Sequence, residues 1–150
     1  MARQSNRSSH PLLSYADGVA TGMTDALLLV GRVLIAAVFL MTVWTGSPNV
    51  GYLTSINFVY PEMMSLLGRT IEWIIVISLV LGLGTRYGAL LSLAFVIVAT
   101  VTAHRYWGYP QAAQLVQYIF LTKNLAIAGG AIVLFVTGGG RFSVDGKLKG

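Results

Sequence analysis

A conflict between long apolar runs and charges inside them constrains this chain more than any other feature. Four stretches are long enough to cross a bilayer, and each holds an ionisable residue within it or at one end. Arg32, Glu72 and Lys123 lie inside hydrophobic runs, and His104 closes a fourth. A charge at mid-membrane costs roughly 2.5–3.5 kcal/mol on insertion scales, so three unpaired ones cost on the order of 8–10 kcal/mol. They must face one another or water rather than lipid. That shared interior is where function is to be sought.

Composition sharpens the class. Of 150 residues, 55% are hydrophobic and 10% charged, against about a quarter charged in a soluble domain. The length allows one compact domain. The absence of cysteine excludes disulfides, Fe–S clusters, thiolate metal sites and thiol-redox chemistry of the chain's own. A net charge of +5 raises nucleic acid as a partner, but most of the bases lie outside the spans at one membrane face. Positive-inside topology accounts for them, so the expected partners are the lipid bilayer and other membrane subunits, with no nucleic acid.

Residues 1–25 read as a cytoplasmic tail: a polar, basic, flexible start followed by a short interfacial helix over 12–24, where Ser14 and Asp17 are spaced like a capping box. The first apolar run comes too late and is too long for a cleaved signal peptide. Residues 26–137 form an all-α, integral membrane, four-helix antiparallel bundle, with spans near 26–45, 63–84, 87–103 and 114–137. The glycine-rich turn 82–86 is short enough to require a tight antiparallel connection. The third span is expected to run on through His104 and Trp107 into the interface. Residues 138–150, opened by Gly138-Gly139-Gly140, read as a second cytoplasmic tail.

With both termini cytoplasmic, Arg3, Arg7, Arg86, Arg141, Lys147 and Lys149 are inside, and Arg69 and Arg105 are outside. Tyr52, Tyr60, Tyr106, Trp107 and Tyr109 then make an outer aromatic belt.

Glu72 and Lys123 each lie nine residues from the outer end of their spans, so each is about 13 Å deep at 1.5 Å per residue. Matched depths permit a direct pair. Arg32 enters from the inner side, roughly 9 Å in, with a side chain long enough to reach toward the same level. Arg69, one turn from Glu72, competes for the carboxylate. Snorkelling of Arg32 and Lys123 to the two faces, and a local Arg69–Glu72 bridge, are the structural alternatives. His104 reads first as a helix-end polar residue. With His10 the only other histidine, two-histidine haem ligation within one chain is not available. Gln117 and Asn124 share a helical face beside small residues, a pattern of helix packing. Arg32, Glu72, His104, Lys123 and Asn124 are thus the candidate intramembrane polar network.

In order along the chain stand Gly31-Arg32, Gly51-Tyr52-Leu53, Glu72, Gly82-Leu83-Gly84-Thr85-Arg86, Ala103-His104-Arg105-Tyr106-Trp107, Lys123-Asn124-Leu125-Ala126 and Gly140-Arg141-Phe142-Ser143-Val144-Asp145. This series resembles the DoxX family of small four-helix membrane proteins, over roughly residues 27–145. The resemblance implies a four-helix fold and a link to quinone-dependent redox complexes. Departures are the lysine-free end of the first span and a longer N-terminal extension.

The function expected from these features is an accessory, non-catalytic subunit of a membrane redox or energy-converting complex. It would have no intrinsic cofactor, and a quinone or a bound lipid would be its ligand. The alternative is a small quinone-linked oxidoreductase. There Arg32 and Lys123 would polarise quinone carbonyls while Glu72 or His104 moved protons, with electrons supplied by a partner.

Overall fold

The computed structural model describes residues 11–46 and 48–149. Arg3, Arg7 and His10 of the N-terminal tail lie outside the described residues. Six α-helices follow in order: α1 (Pro11–Trp44), α2 (Val50–Ser55), α3 (Pro61–Leu81), α4 (Thr85–Thr102), α5 (Gln111–Thr137) and α6 (Val144–Lys149). No strand occurs among the described residues. Four helices, α1, α3, α4 and α5, are long and apolar enough to cross a membrane.

They form a ring in which α1 packs on α3, α3 on α4, α4 on α5, and α5 on α1. Each neighbour runs antiparallel to the next, so the start of α1 and helix α6 lie at one end of the bundle and α2 lies at the other. The centre is filled by Ala36, Phe39, Ile75, Val76, Leu79, Ala89, Val96, Ile127 and Leu134. The outer surface is equally apolar: Leu34, Leu66, Ile74, Leu125 and Val136 are all exposed. In water such a surface would aggregate; in a bilayer it is the required lipid-facing coat.

The elements depart from the sequence-based expectation in four places. First, α1 is one continuous helix of 34 residues, with no separate interfacial helix over 12–24. Nothing in the segment breaks it: no proline follows Pro11 until Pro48. The Thr21 and Thr24 hydroxyls donate back to the Asp17 and Ala20 carbonyls within the helix. At 1.5 Å per residue it is about 51 Å long, so its first turns extend beyond the ~30 Å of hydrocarbon. Second, the loop after α1 folds into α2, started by Asn49, whose side chain accepts from the Tyr52 N–H at 2.7 Å.

Third, helix α4 stops at Thr102, and His104 and Arg105 form a bend before a one-turn 3₁₀ helix at Tyr106–Gly108. Fourth, the C-terminal segment is not a free tail. It folds as α6 and docks on the α3–α4 turn, where Asp145 accepts from the Gly84 and Thr85 N–H groups at 2.7 Å each. The turn itself is as tight as expected. Gly82 and Gly84 both take left-handed backbone angles, with φ of 67° and 60°.

Candidate functional site

The α2 end of the bundle holds a partly open chamber of ≈ 400 Å³. Its polar lining comes from every layer of the fold: Thr42 from α1, Tyr52 from α2, Glu72 from α3, His104 from the bend, and Gln117, Lys123 and Asn124 from α5. Phe39, Phe95 and Phe120 supply aromatic walls.

Glu72 is 3% exposed. One carboxylate oxygen, Oε1, accepts from the Thr42 hydroxyl at 2.8 Å. The other, Oε2, is buried with no hydrogen-bond partner. Lys123 lies across the chamber with its Nζ 4.8 Å from the centre of the Phe120 ring, a cation–π contact. Glu72 and Lys123 act on each other electrostatically without a hydrogen bond between them. The direct pair that matched depth permits does not close.

The remaining polar groups are tied into the walls. Asn124 Nδ2 donates to the Thr100 hydroxyl at 2.9 Å. His104 Nδ1 lies 3.0 Å from Gln117 Oε1. The His104 ring sits between Phe120, 4.6 Å away, and Tyr52, 6.4 Å away. When Nδ1 carries the proton toward Gln117, Nε2 is left as an acceptor.

Tyr52 donates to the Ala103 carbonyl at 2.7 Å and lies 3.1 Å from the Tyr109 hydroxyl. Burial, then the Tyr109 hydroxyl, holds the Tyr52 phenol above its ordinary pKa, so it stays neutral. These two tyrosines, expected in an outer aromatic belt, instead hold the bend at Ala103 onto α2. Tyr60 and Trp107 do face outward.

Four of the five candidate residues therefore meet: Glu72, His104, Lys123 and Asn124 line one chamber. Arg32 does not join them. It is completely buried at the opposite end, where Nη2 donates to the Phe142 carbonyl at 2.6 Å and Asp145 supplies the opposing charge. Arg69 donates to the Gly46 carbonyl at 3.1 Å and acts on Glu72 only electrostatically, without a hydrogen bond. Thr42, Tyr52 and Gln117 complete the chamber and were missing from the sequence-derived set. For Gln117 the signal existed in its seven-residue spacing from Asn124, which had been assigned to packing alone.

Comparison with known proteins places this architecture. The chain is 30% identical over 126 residues to the inner membrane protein YphA of Escherichia coli, covering 79% of this chain and 88% of that protein. It is 27% identical over 133 residues to the inner membrane protein YqjF of the same organism, covering 85% and 95%. No solved structure gives a significant match. The protein is a multi-pass protein of the inner membrane. The family model that matches spans residues 16–150 and is that of the SURF4 family, which overturns the resemblance to DoxX. The motifs behind that resemblance are short: glycine, arginine and aromatics at span ends, with single charged or small residues inside the spans, a pattern small helical bundles share. The chain belongs to the SURF4 family.

Proposed function

We propose that the protein is a non-catalytic membrane subunit whose chamber binds the polar head of a lipid-soluble molecule. The observation that carries this reading is the pairing across the chamber of two charged groups with unused hydrogen-bonding capacity. Glu72 Oε2 has no donor, and Lys123 has only a ring beneath it. Unlike the Arg32 guanidinium, whose unpartnered nitrogens are packed against the Gly82 turn, these two groups face open volume. Held apart around ≈ 400 Å³, they suit a guest that accepts from Lys123 and donates to, or shares a proton with, Glu72.

The walls narrow the guest further. Phe39, Phe95, Phe120, Tyr52 and the His104 ring offer flat apolar faces between the two charged ends. A ring with oxygens on opposite edges, as in a quinone or quinol, matches that layout. In such a role the protein serves a redox or energy-converting complex as an accessory component, with electrons carried elsewhere. The second reading, direct quinone redox chemistry, rests on the His104 Nε2 and Glu72 as proton acceptors within the same chamber.

Equilibrium binding of a decyl-substituted benzoquinone to the purified protein in lipid nanodiscs tests the proposal. A hydrogen bond to a charged group is worth roughly 1.5–3 kcal/mol, so Lys123→Met and Glu72→Gln are each expected to weaken binding by about tenfold or more. No saturable binding, or affinity unchanged in both variants, overturns it. Reduction of the bound probe by an added chemical reductant, faster with the parent than with Glu72→Gln, would favour the second reading.

The chamber opens, on this proposal, toward the outer face. The excess of Lys and Arg at the end carrying both termini, including Arg86, Arg141, Lys147 and Lys149, supports a cytoplasmic position for that end. Reporter fusions after residue 150 and within 47–60 test it; a cytoplasmic signal from the loop fusion reverses the orientation.

A further inference from the structure

A second cavity lies directly behind the chamber. It is a groove of ≈ 260 Å³ on the outside of the bundle, between α3 and α4, and its lining is almost wholly apolar. Phe95 and Ala99 belong to both cavities. They sit one helical turn apart on α4, so a single stripe of that helix is the partition between them.

The same division runs all the way along the seam. Consecutive residues face opposite sides of it. Leu53 lines the groove and Tyr52 the chamber; Ile71 lines the groove and Glu72 the chamber; Ala103 lines the groove and His104 the chamber. The partition is thin at Ala99, where a methyl group is all that the side chain contributes. At Phe95 it is one ring, set edge-on to Phe39 at 5.8 Å and 70°. The groove is roofed by Pro48, Leu53 and Phe58 and opens sideways toward the lipid through Leu67 and Val98.

We infer that the groove between α3 and α4 holds the apolar tail of the molecule whose head occupies the chamber, and that the Phe95–Ala99 stripe is the lateral doorway from the bilayer. The inference rests on the head-binding reading of the chamber. It commits the guest to one class: an amphiphile with a compact polar ring and a linear hydrocarbon or isoprenoid chain. A polar chamber and an apolar groove set back to back across a two-residue wall suit such a molecule once that wall opens. A soluble metabolite needs no groove, and a two-chain phospholipid has a second tail that this one groove does not accommodate. Phe95, between the rings of the chamber and the lipid, is the side chain whose rotation opens the doorway.

The test compares two probes in nanodiscs of one phospholipid composition: the decyl-substituted benzoquinone and the same ring with a methyl in place of the decyl chain. Partition into lipid raises the apparent affinity of the decyl probe equally for every variant. The informative quantity is therefore the decyl-to-methyl affinity ratio, compared between proteins. Ala94→Leu fills the groove from a position that lines the groove and not the chamber, and is expected to lower that ratio about tenfold while leaving the methyl probe's affinity unchanged. Phe95→Ala removes part of the wall shared by both sites and is expected to speed decyl-probe association more than methyl-probe association. A diazirine placed in the decyl chain is expected to label Met64, Leu67, Leu91 and Val98 in preference to residues of α1 and α5.

The outcomes separate the two claims. If neither probe binds, the chamber reading falls and the tail site with it. If the methyl probe binds but Ala94→Leu leaves the ratio intact and labelling spreads over all four spans, the chamber reading stands and the tail site is overturned. A diazirine-tailed phosphatidylcholine that labels the groove as strongly, with labelling unaffected by Lys123→Met, makes the groove a general lipid contact and likewise overturns the inference.

Discussion

Buried charge is handled in opposite ways at the two ends of this bundle. At the end carrying the termini, Asp145 is used to capacity: both carboxylate oxygens accept backbone N–H groups at 2.7 Å, and its own N–H donates to the Gly82 carbonyl at 3.0 Å. Arg32 is sealed beside it: Nη2 donates to the Phe142 carbonyl, while Nε and Nη1 have no acceptor and are packed against the tight turn with no open volume beside them. Asp25 reaches from α1 to accept the Arg141 N–H at 2.7 Å, which ties the same segment down a second time. At the α2 end, Glu72 and Lys123 are spaced apart around open volume. The first arrangement closes the chain on itself, so its charges are structural. The second keeps charged groups ready for something the chain does not itself provide.

If that contrast is right, the closed end is the more fragile in folding. The largest effect is expected at Gly82. A Cβ there would run into the Arg32 guanidinium and the Ser143 side chain, on a backbone with φ of 67°. Left-handed strain of roughly 1–2 kcal/mol and overpacking of roughly 1–3 kcal/mol act together in Gly82→Ala. Thermal unfolding in detergent is expected to show a loss of about 2–5 kcal/mol. A midpoint within a degree of the parent would show that Arg32 and the C-terminal segment are loosely held, and the two ends would no longer differ.

A smaller loss is expected on removing the cap. Asp145→Ala leaves the first N–H groups of α4 without acceptors, a change typically worth about 0.5–2 kcal/mol. Burial pushes the Asp145 carboxyl up, but the Thr85 and Gly84 N–H groups together outweigh it and hold the carboxyl below its usual range. A lowered folded-state value means the stabilisation is fully present above the ordinary aspartate pKa of about 3.9 and is lost as pH falls through the lower folded value. The parent should therefore keep this contribution at neutral and mildly acid pH and shed it only in strong acid. Protease cleavage near residue 145, followed against pH, checks it. Cleavage that starts near neutrality would show that Asp145 is not the latch.

The fold was readable in the sequence because span length and apolar content are decided by the bilayer rather than by details of packing. The grouping of polar residues was readable only in part, and the error over Arg32 has a simple cause. Side chains on a helix lean toward its N-terminus. The N-termini of α3 and α5 lie at the α2 end, so Glu72 and Lys123 lean into the chamber. That of α1 lies at the other end, so Arg32 leans away from them. Depth along the axis had been counted without that direction. Thr42 lies ten residues beyond Arg32 on the same helix, about 15 Å farther along at 1.5 Å per residue, and it meets Glu72 instead. Tyr52 and Thr42 gave no warning, since tyrosine at an interface and threonine in a span are ordinary. The docking of residues 138–149 was hidden for another reason. Each of its contacts has a backbone group on one side, the turn for Asp145 and the segment itself for Asp25 and Arg32, and backbone groups carry no side-chain signature.

The smallest effect on folding is expected in the chamber, and that is what distinguishes it most sharply from the closed end. Breaking a buried ion pair from one side typically costs about 3–5 kcal/mol, with rescue when both partners are removed. Glu72 and Lys123 are not joined by a hydrogen bond, and Glu72→Gln keeps an oxygen to accept from Thr42. Glu72→Gln and Lys123→Met are each expected to change stability by about 1 kcal/mol or less, and the double change to be near the sum of the two. Unfolding midpoints of the parent, both single variants and the double variant give the coupling directly. Large single losses cancelled in the double variant would show a closed structural pair. In that case both ends of the bundle would use their charges alike, and the chamber would lose its claim to a guest.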